Sequence, residues 1–393
     1  MNKPNNFCVL PWIHLETSAN GFARPCCIYS GHYKNSDNSN VSMKDNNITQ
    51  AMNSYGARMI RKAFENNEKP DGCKLCWDIE SAGGTSKRIE SNNKYSDKFD
   101  STIKPIYLDL KFGTTCNLKC RICSPWSSSK WLKDQKILDE DPNNPVLKVE
   151  HIYPKKDWSE QNNNFWNDFM NIVGNVEHFD FTGGEPMMIQ KHKEVLKHCV
   201  EKGYSKYQTI HYNTNGTYYD KDFAKNVLSK FKFVDVMFSI DGIKGQFEYQ
   251  RHPAKWEEVN RNIKLWQSHG FYTHVCCTVN VQNILYLDDM IYYCKDNNLP
   301  IYLNIMQAPE HFNIKSLPLH MKKEVDKMLN NVKVDNKQIK QIINFMYSEN
   351  WWEDKDYTKG NIKYFITKND ELRNEKFATH FGEAAEYLEI YNV

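Results

Sequence analysis

Six short segments with the alternating pattern of β-strands recur along the middle of the chain. In the first of them Ile106, Leu108, Leu110 and Phe112 share one face, which is the period-two signal of a strand. The six segments are 106–112, 176–181, 208–213, 234–240, 273–279 and 300–305.

Helical patterns separate most of these segments. For example, Trp256, Val259, Ile263 and Trp266 recur at helical spacing before Gly270, a typical stop signal. Strands that alternate with helices imply parallel βαβ units, and six strands are fewer than the eight of a closed barrel. The sequence therefore predicts an α/β fold built on a partial (β/α)6 barrel of the TIM type.

The regions on either side of the barrel differ from it in composition. Residues 1–98 contain several cysteines and short apolar runs, which predicts a small metal-binding domain. Residues 99–310 form the predicted barrel, and residues 311–393 carry helical patterns that predict a C-terminal extension.

Charge and hydropathy limit the partners. The formal net charge of +2 and the lack of a long basic block predict no nucleic-acid partner. No segment approaches the ~18 apolar residues of a membrane span, and the first residues lack the pattern of a leader. We expect a soluble, cytoplasmic protein without a membrane partner.

In a reducing compartment, clustered cysteines favour metal ligands over disulfides. Cys116, Cys120 and Cys123 directly follow the first predicted strand. Three thiols are one ligand short of a closed four-coordinate site, so either a distant residue completes it or one position stays open. Four other cysteines lie in apolar surroundings and are expected in the core: Cys199, Cys276, Cys277 and Cys294.

Polar or glycine-rich groups follow the next strands as well. In parallel α/β folds, functional side chains gather at the carboxyl ends of the strands, which predicts one shared site. These groups are Gly183, Gly184, Glu185 and Pro186 after the second strand, Asn215 after the third, Ser239 and Asp241 at the fourth, and Asn280 after the fifth.

The spacing Cys116-x3-Cys120-x2-Cys123, followed by the GGEP segment 183–186, resembles the radical S-adenosylmethionine (SAM) enzymes over about residues 105–310. One departure is Ile122, at a position that is often aromatic in that family. The resemblance implies that the three thiolates hold three irons of a [4Fe–4S] cluster, whose fourth iron binds the amino and carboxylate groups of SAM. Reductive cleavage then gives a 5′-deoxyadenosyl radical that abstracts hydrogen from a substrate. Zinc with a distant fourth ligand is the alternative for the trio.

The resemblance also implies roles for the other strand-end residues. Gly183 and Gly184 let the backbone approach the cofactor, Glu185 accepts from its amino group, and Pro186 fixes the turn. Further cofactor contacts are expected from Asn215, Ser239, Asp241 and Asn280, and from Arg251, which pairs with the cofactor carboxylate or is a surface arginine.

The spacing of Cys8, Gly21 and Cys26, with Cys73 and Cys76 further on, resembles the SPASM and twitch domains of radical enzymes. In those families the domain usually follows the barrel, whereas here the pattern precedes it. Four ligands imply one auxiliary [4Fe–4S] cluster; a structural zinc ribbon and a metal-free segment are the alternatives.

Three residues close to this pattern are ambiguous. Cys27 is adjacent to Cys26, and adjacent side chains diverge, so one of the two is expected to be a bystander; the spacing from Gly21 favours Cys26. His14 and His32 are spare ligands by position and are expected to be ordinary surface histidines.

The sequence does not identify the substrate. We expect radical modification of a peptide or protein, with a small-molecule or nucleotide-derived substrate as the alternative and a non-catalytic iron–sulfur or zinc scaffold as the third hypothesis. An electron donor such as flavodoxin or ferredoxin is the other expected partner.

Overall fold

The computed structural model describes residues 4–146, 156–334 and 337–390. Eight strands of the described chain form one sheet in the order β2-β1-β3-β4-β5-β6-β7-β8. They are β1 His14–Thr17, β2 Ala23–Arg24, β3 Tyr107–Lys111, β4 His178–Thr182, β5 Thr209–Thr214, β6 Phe233–Ser239, β7 Tyr272–Val279 and β8 Ile301–Ile305.

Helices lie before, between and after these strands. None of them, within the described ranges, is long and apolar enough to cross a membrane. They are α1 Leu10–Ile13, α2 Ile48–Met52, α3 Tyr55–Glu65, α4 Lys74–Ser81, α5 Lys87–Tyr95, α6 Leu132–Glu140, α7 Trp158–Gln161, α8 Asn163–Ile172, α9 Gln190–Glu201, α10 Lys221–Asn226, α11 Lys244–Gln250, α12 Trp256–Gln267, α13 Leu287–Asp296, α14 Leu319–Asn330, α15 Gln338–Tyr347, α16 Trp351–Asp354, α17 Tyr357–Arg373, α18 Phe377–His380 and α19 Gly382–Tyr387.

The six predicted strands are present as β3 to β8, so the predicted fold class is confirmed. β3 pairs with β4, β4 with β5 and β7 with β8, all in parallel register. In β4, Phe179 and Phe181 are fully buried while the residues between and beside them are half-buried, which is the predicted alternation. Helices α14 to α19 form the expected helical C-terminal region.

Two strands were not predicted. β1 is parallel to β3, with Leu15 opposite Leu108, and β2 is antiparallel to β1. β1 gave no alternating signal because it buries three polar side chains: His14, which bonds to the Tyr107 carbonyl, Glu16 and Thr17. The cysteine-rich N-terminal segment thus contributes two strands to the sheet.

The polar composition of residues 90–102 is typical of a linker, but the first part of this interval is helical. Helix α5 spans Lys87–Tyr95, and its N-terminus is capped by Ser86, whose hydroxyl accepts the Ile89 N–H. The mostly polar sequence of α5 hides this helix, because only Ser91 and Tyr95 are buried within it.

The described chain divides into two units. The first unit comprises residues 4–115, 156–213 and 220–235, and the second comprises residues 116–146, 214–219, 236–334 and 337–390. In the following account the contacts of each unit are described separately.

Trp158 ties three parts of the first unit together. Its indole N–H donates to the Lys111 carbonyl at the end of β3 (2.9 Å), and its ring packs edge-on against Phe165 of α8. A Cβ atom added at Gly21, near β2, would lie 2.6 Å from the Trp158 ring. The N-terminal segment therefore packs on the tryptophan that also holds the end of β3.

We expect Trp158→Ala to lower the free energy of unfolding by about 3–5 kcal/mol, because loss of a fully buried indole leaves a cavity and removes one of the two hydrogen bonds that the Lys111 carbonyl accepts from the Trp158 and Thr17 side chains. The matched control is Trp126→Ala, since Trp126 is 40% exposed whereas Trp158 is 1% exposed. The control should change stability by less than about 0.5 kcal/mol. Urea titration followed by circular dichroism measures both; equal losses in the two variants would contradict this account of Trp158.

Candidate functional site

The backbone that leads into the first cysteine of the trio is held by a buried carboxylate. In the first unit, Asp157 accepts the Thr114 N–H (2.7 Å) and the Thr115 N–H (3.1 Å). Gly113 approaches the same carboxylate so closely that an added Cβ would overlap it. Because Thr115 and Cys116 are consecutive, these bonds set where the cysteine loop begins.

The GGEP loop (residues 183–186) of the first unit is hydrogen-bonded to Thr115, the residue whose N–H donates to Asp157. The Glu185 N–H donates to the Thr115 carbonyl (2.8 Å), and a side chain at Gly184 would collide with that carbonyl. Gly183 and Gly184 both have left-handed backbone angles, with φ of 72° and 57°. Pro186 begins a short 3-10 turn, and the buried Glu185 carboxylate accepts the Met187 N–H (3.1 Å).

The cysteine trio lies in the second unit. Cys116 and Cys120 are buried, and Cys123 is half-buried. The Lys119 N–H donates to the His252 carbonyl, just after α11, and the Arg121 N–H donates to the carbonyl of Gln250, the last residue of α11, at 2.8 Å each. Burial raises the pKa of the Cys120 thiol and raises that of Cys123 to about 12, so the thiols release their protons only to a metal.

Two predicted polar residues face this trio within the second unit. The Asn215 side-chain nitrogen lies 3.8 Å from the Cys116 sulfur, and an Arg251 guanidinium nitrogen lies 3.8 Å from the Cys120 sulfur. Arg251 also pairs with Asp241 (2.7 Å), which accepts the Thr278 N–H (2.8 Å). Asp241 therefore positions Arg251 against the trio.

Asp241 and Arg251 are both buried, and their charges offset one another. Burial raises the pKa of the Asp241 carboxyl, an effect that the neighbouring Arg251 opposes. Burial on its own would lower the pKa of Arg251, but Asp241 and the nearby thiols outweigh it and raise that pKa above its ordinary value. The pair is expected to be ionised at neutral pH.

The two remaining predicted residues lie at strand ends of the second unit. Asn280 is fully buried; its amide donates to the Thr278 carbonyl (2.9 Å), and its side-chain oxygen accepts the Gln282 N–H (2.9 Å). These bonds hold the turn after β7. Ser239 is half-buried at the last position of β6.

The predicted residues thus fall into two groups. The second unit brings Asn215, Asp241 and Arg251 together with the trio, and it also contains Ser239 and Asn280. The first unit holds residues 183–186 on Thr115, the residue before the first cysteine.

Residues 110–291 match the family model described as the Radical SAM superfamily. This segment is therefore similar to the radical SAM domain, and the match covers less than half of the chain. The matched segment contains the trio and all the predicted strand-end residues.

Solved structures with weak similarity include native anSMEcpe with bound AdoMet (18% identity, TM-score 0.40, 69% of this chain and 62% of that chain). Streptococcus suis SuiB bound to S-adenosylmethionine shares 12% identity at a TM-score of 0.38, covering 72% of this chain and 61% of that one. The alignments span only about three fifths of these two proteins. No curated protein sequence matches the chain.

Outside the matched segment, four cysteines of the first unit line a single cavity. Cys8, Cys26, Cys73 and Cys76 share its wall with apolar groups such as Phe64. Burial raises the pKa of Cys26 and of Cys73 to about 12, and nearby thiols add to the effect. The four predicted auxiliary ligands are therefore brought together.

The three ambiguous residues Cys27, His14 and His32 are not among the residues that line this cavity. Cys26 lines the cavity, whereas the Cys27 sulfur lies 2.9 Å from the Lys87 ammonium. His14 is buried on β1 with its Nδ1 atom 2.9 Å from the Tyr107 carbonyl, and so it is not the surface residue that was expected. His32 is half-buried, and its ring packs near Phe22.

Several residues of the site were not predicted from the sequence. Asp157 lies outside any recognisable motif, and Trp131, which donates to the Cys120 carbonyl (2.9 Å), looked like one of many aromatic residues. Arg373 and Glu375 lie in the C-terminal region, far along the chain from the trio. Their contacts are non-local, and no local signal identifies them.

Gly184→Ala should weaken both folding and the site, because alanine in the left-handed region costs about 1–3 kcal/mol and its methyl group displaces the Thr115 carbonyl. The control is Gly360→Ala: Gly360 lies in α17 with open space around it, so alanine should add up to about 1 kcal/mol of stability. Urea unfolding and calorimetric titration with SAM measure the two effects. A Gly184→Ala protein with wild-type stability and SAM affinity would refute the proposed close approach.

Proposed function

We propose that this protein is a radical SAM enzyme that cleaves SAM reductively and abstracts hydrogen from a peptide or protein substrate. The observation that carries this is the cysteine loop itself. Three thiols lie in one unit, and the residue before the first of them is bonded to a GGEP loop. A zinc or scaffold role would not require this loop, nor an open fourth position.

Cys116, Cys120 and Cys123 would hold a [4Fe–4S] cluster with one iron free of protein ligands. Thiolates suit iron–sulfur clusters, and the cation of Arg251 beside Cys120 fits such an anionic group. When bound, the cluster and SAM supply a 5′-deoxyadenosyl radical, which removes a hydrogen atom from the substrate.

The protein's own residues would bind and orient SAM. Glu185 offers a buried carboxylate to the amino group, and Gly183 and Gly184 leave room for the cofactor against the backbone. Asn215, Ser239 and Asp241 would contact the ribose or the methionine part. Arg251, which Asp241 holds in position, would form an ion pair with the SAM carboxylate or with the cluster. Asn280 would act mainly by holding its turn.

Cys8, Cys26, Cys73 and Cys76 would hold one auxiliary [4Fe–4S] cluster of the twitch type. Support comes from the cavity that these four cysteines line together. Lys87 and Arg88 line the same cavity, and their charges would offset those of the thiolates. This cluster would pass electrons to or from the substrate, and a flavodoxin or ferredoxin would supply the reducing electron.

Support for a peptide or protein substrate comes from the resemblance of the N-terminal cysteine pattern to SPASM and twitch domains, and a small-molecule or nucleotide-derived substrate is the alternative. Anaerobic incubation of the loaded enzyme with candidate peptides and with small molecules, scored by mass shift, separates the two substrate classes. A mass shift confined to small molecules would overturn the peptide assignment.

Anaerobically reconstituted protein should bind about eight irons per chain, because two cubane clusters hold four each. Replacing Cys116, Cys120 and Cys123 together by alanine should leave about four irons. The control is Cys294→Ala, a buried cysteine of α13, which should leave the iron content unchanged. Metal analysis measures the result. Four irons and one zinc in the wild type would contradict the auxiliary cluster but not the cluster on the trio.

With a strong reductant, the wild type should slowly convert SAM to 5′-deoxyadenosine and methionine. Cys120→Ala should abolish this conversion, since the cluster loses a ligand, whereas Cys73→Ala should retain it and lose only product formation on the true substrate. Chromatography of 5′-deoxyadenosine measures both. If the fully reconstituted wild type forms none under several reductants, the catalytic proposal fails.

A further inference from the structure

Residues at and just after the C-terminal end of α17 form ion pairs with the cysteine loop within the second unit. After Arg373, Asn374 takes a left-handed conformation (φ 52°) that ends the helix. Glu375 then lies 2.6 Å from Arg121, between the second and third cysteines, and 2.7 Å from His252. The C-terminal region thus has a defined contact with the trio.

Three arginines lie around this loop, and two of them have their charge matched. Arg121 pairs with Asp370 (2.8 Å) and with Glu375, and its guanidinium stacks on Tyr249 at 3.5 Å. Arg251 pairs with Asp241. These two cations therefore have carboxylate partners already.

Arg373 is the third arginine, and it lacks such a partner. It is 7% exposed, and none of its three guanidinium nitrogens has a hydrogen-bond partner among the described residues. The nearby carboxylate of Asp134 lies 3.9 Å from its Nε atom and is already bonded to Lys119 at 2.6 Å. A buried cation with unmade hydrogen bonds is costly.

Trp131 connects Arg373 with the cysteine trio. Its guanidinium lies 4.8 Å from the ring centre of Trp131, and the Trp131 N–H donates to the Cys120 carbonyl (2.9 Å). Burial, followed by the charge of Arg121, lowers the pKa of Arg373 to about 10, while Asp134, Glu375 and the Cys120 thiolate act in the opposite direction. The Trp131 side chain thus contacts both Arg373 and the backbone of Cys120.

We propose that Arg373 is the cation that balances the charge of the cluster on Cys116, Cys120 and Cys123, and that it raises the reduction potential of this cluster. The inference rests on the proposed function, since it requires that cluster. A cluster with three thiolate ligands is anionic and gains one more negative charge when it takes up an electron from an external reductant. A fixed cation in a buried site stabilises the reduced form more than the oxidised form.

The test is an anaerobic redox titration of the full-length reconstituted protein, with dithionite as the reductant and electron paramagnetic resonance as the readout. The signal that changes on addition of SAM belongs to the trio's cluster, which separates it from an auxiliary cluster. Arg373→Gln should shift the one-electron equilibrium about tenfold toward the oxidised form, equivalent to ~59 mV more negative. Arg373→Lys should restore most of the wild-type potential.

The matched control is Lys368→Gln, which removes one positive charge from the same helix. Lys368 is partly exposed and pairs with Asp141 and Glu371, so its loss should leave the potential unchanged. An equal shift in this control would overturn a specific role for Arg373.

Other results of the titration distinguish a redox role of Arg373 from a cofactor-binding role or a structural role. A SAM-sensitive signal with an unchanged midpoint in Arg373→Gln overturns the inference and leaves the proposed function intact, whereas no SAM-sensitive signal in the wild type refutes both. Weaker SAM binding with an unchanged midpoint would assign Arg373 to the cofactor instead. Arg373→Met replaces the glutamine variant if that variant fails to hold its cluster. If the methionine variant also loses the cluster, or its apoprotein unfolds, Arg373 has a structural role and the inference is wrong.

Discussion

The position of the first cysteine depends on the backbone of Thr115, whose two polar groups are both bonded. Its N–H donates to the Asp157 carboxylate, and its carbonyl accepts from the GGEP loop. A backbone group removed from water requires such a partner, so the two bonds restrict the chain to one course at this point. The glycines of the GGEP loop are required because a side chain at Gly184 would collide with that carbonyl.

The sequence was sufficient to predict β3 to β8, because one face of each strand is apolar and the other polar, and this alternation is local. It was insufficient for β1, where His14 and Glu16 are buried with partners supplied by other segments. Glu16 lies between Arg24 and Lys111, at 2.5 Å from each. A buried polar strand is stabilised by non-local pairing, which no local pattern reveals.

The site shows the same distinction between local and non-local information. The trio and the GGEP segment are recognisable because their chemistry requires fixed spacing along the chain. The direction of a side chain is not recoverable in this way: of the adjacent Cys26 and Cys27, one lines the cysteine cavity and the other contacts Lys87. Arg373 was missed for a similar reason, since the features that distinguish it are its burial and its missing partners.

The cysteine sites also explain why a buried cation can remain without a partner in the folded chain. Metal binding releases protons from thiols, so loading converts neutral groups into an anionic centre. In the N-terminal cavity, apolar neighbours such as Phe64 suit the neutral thiols, and Lys87 and Arg88 are available for the charged state. Around the trio, Arg251 already has Asp241 as its partner at 2.7 Å, whereas Arg373 approaches Asp134 only to 3.9 Å and shares it with Lys119. An anionic trio would supply further negative charge to Arg373, and this would link the C-terminal helix to the loading of the site.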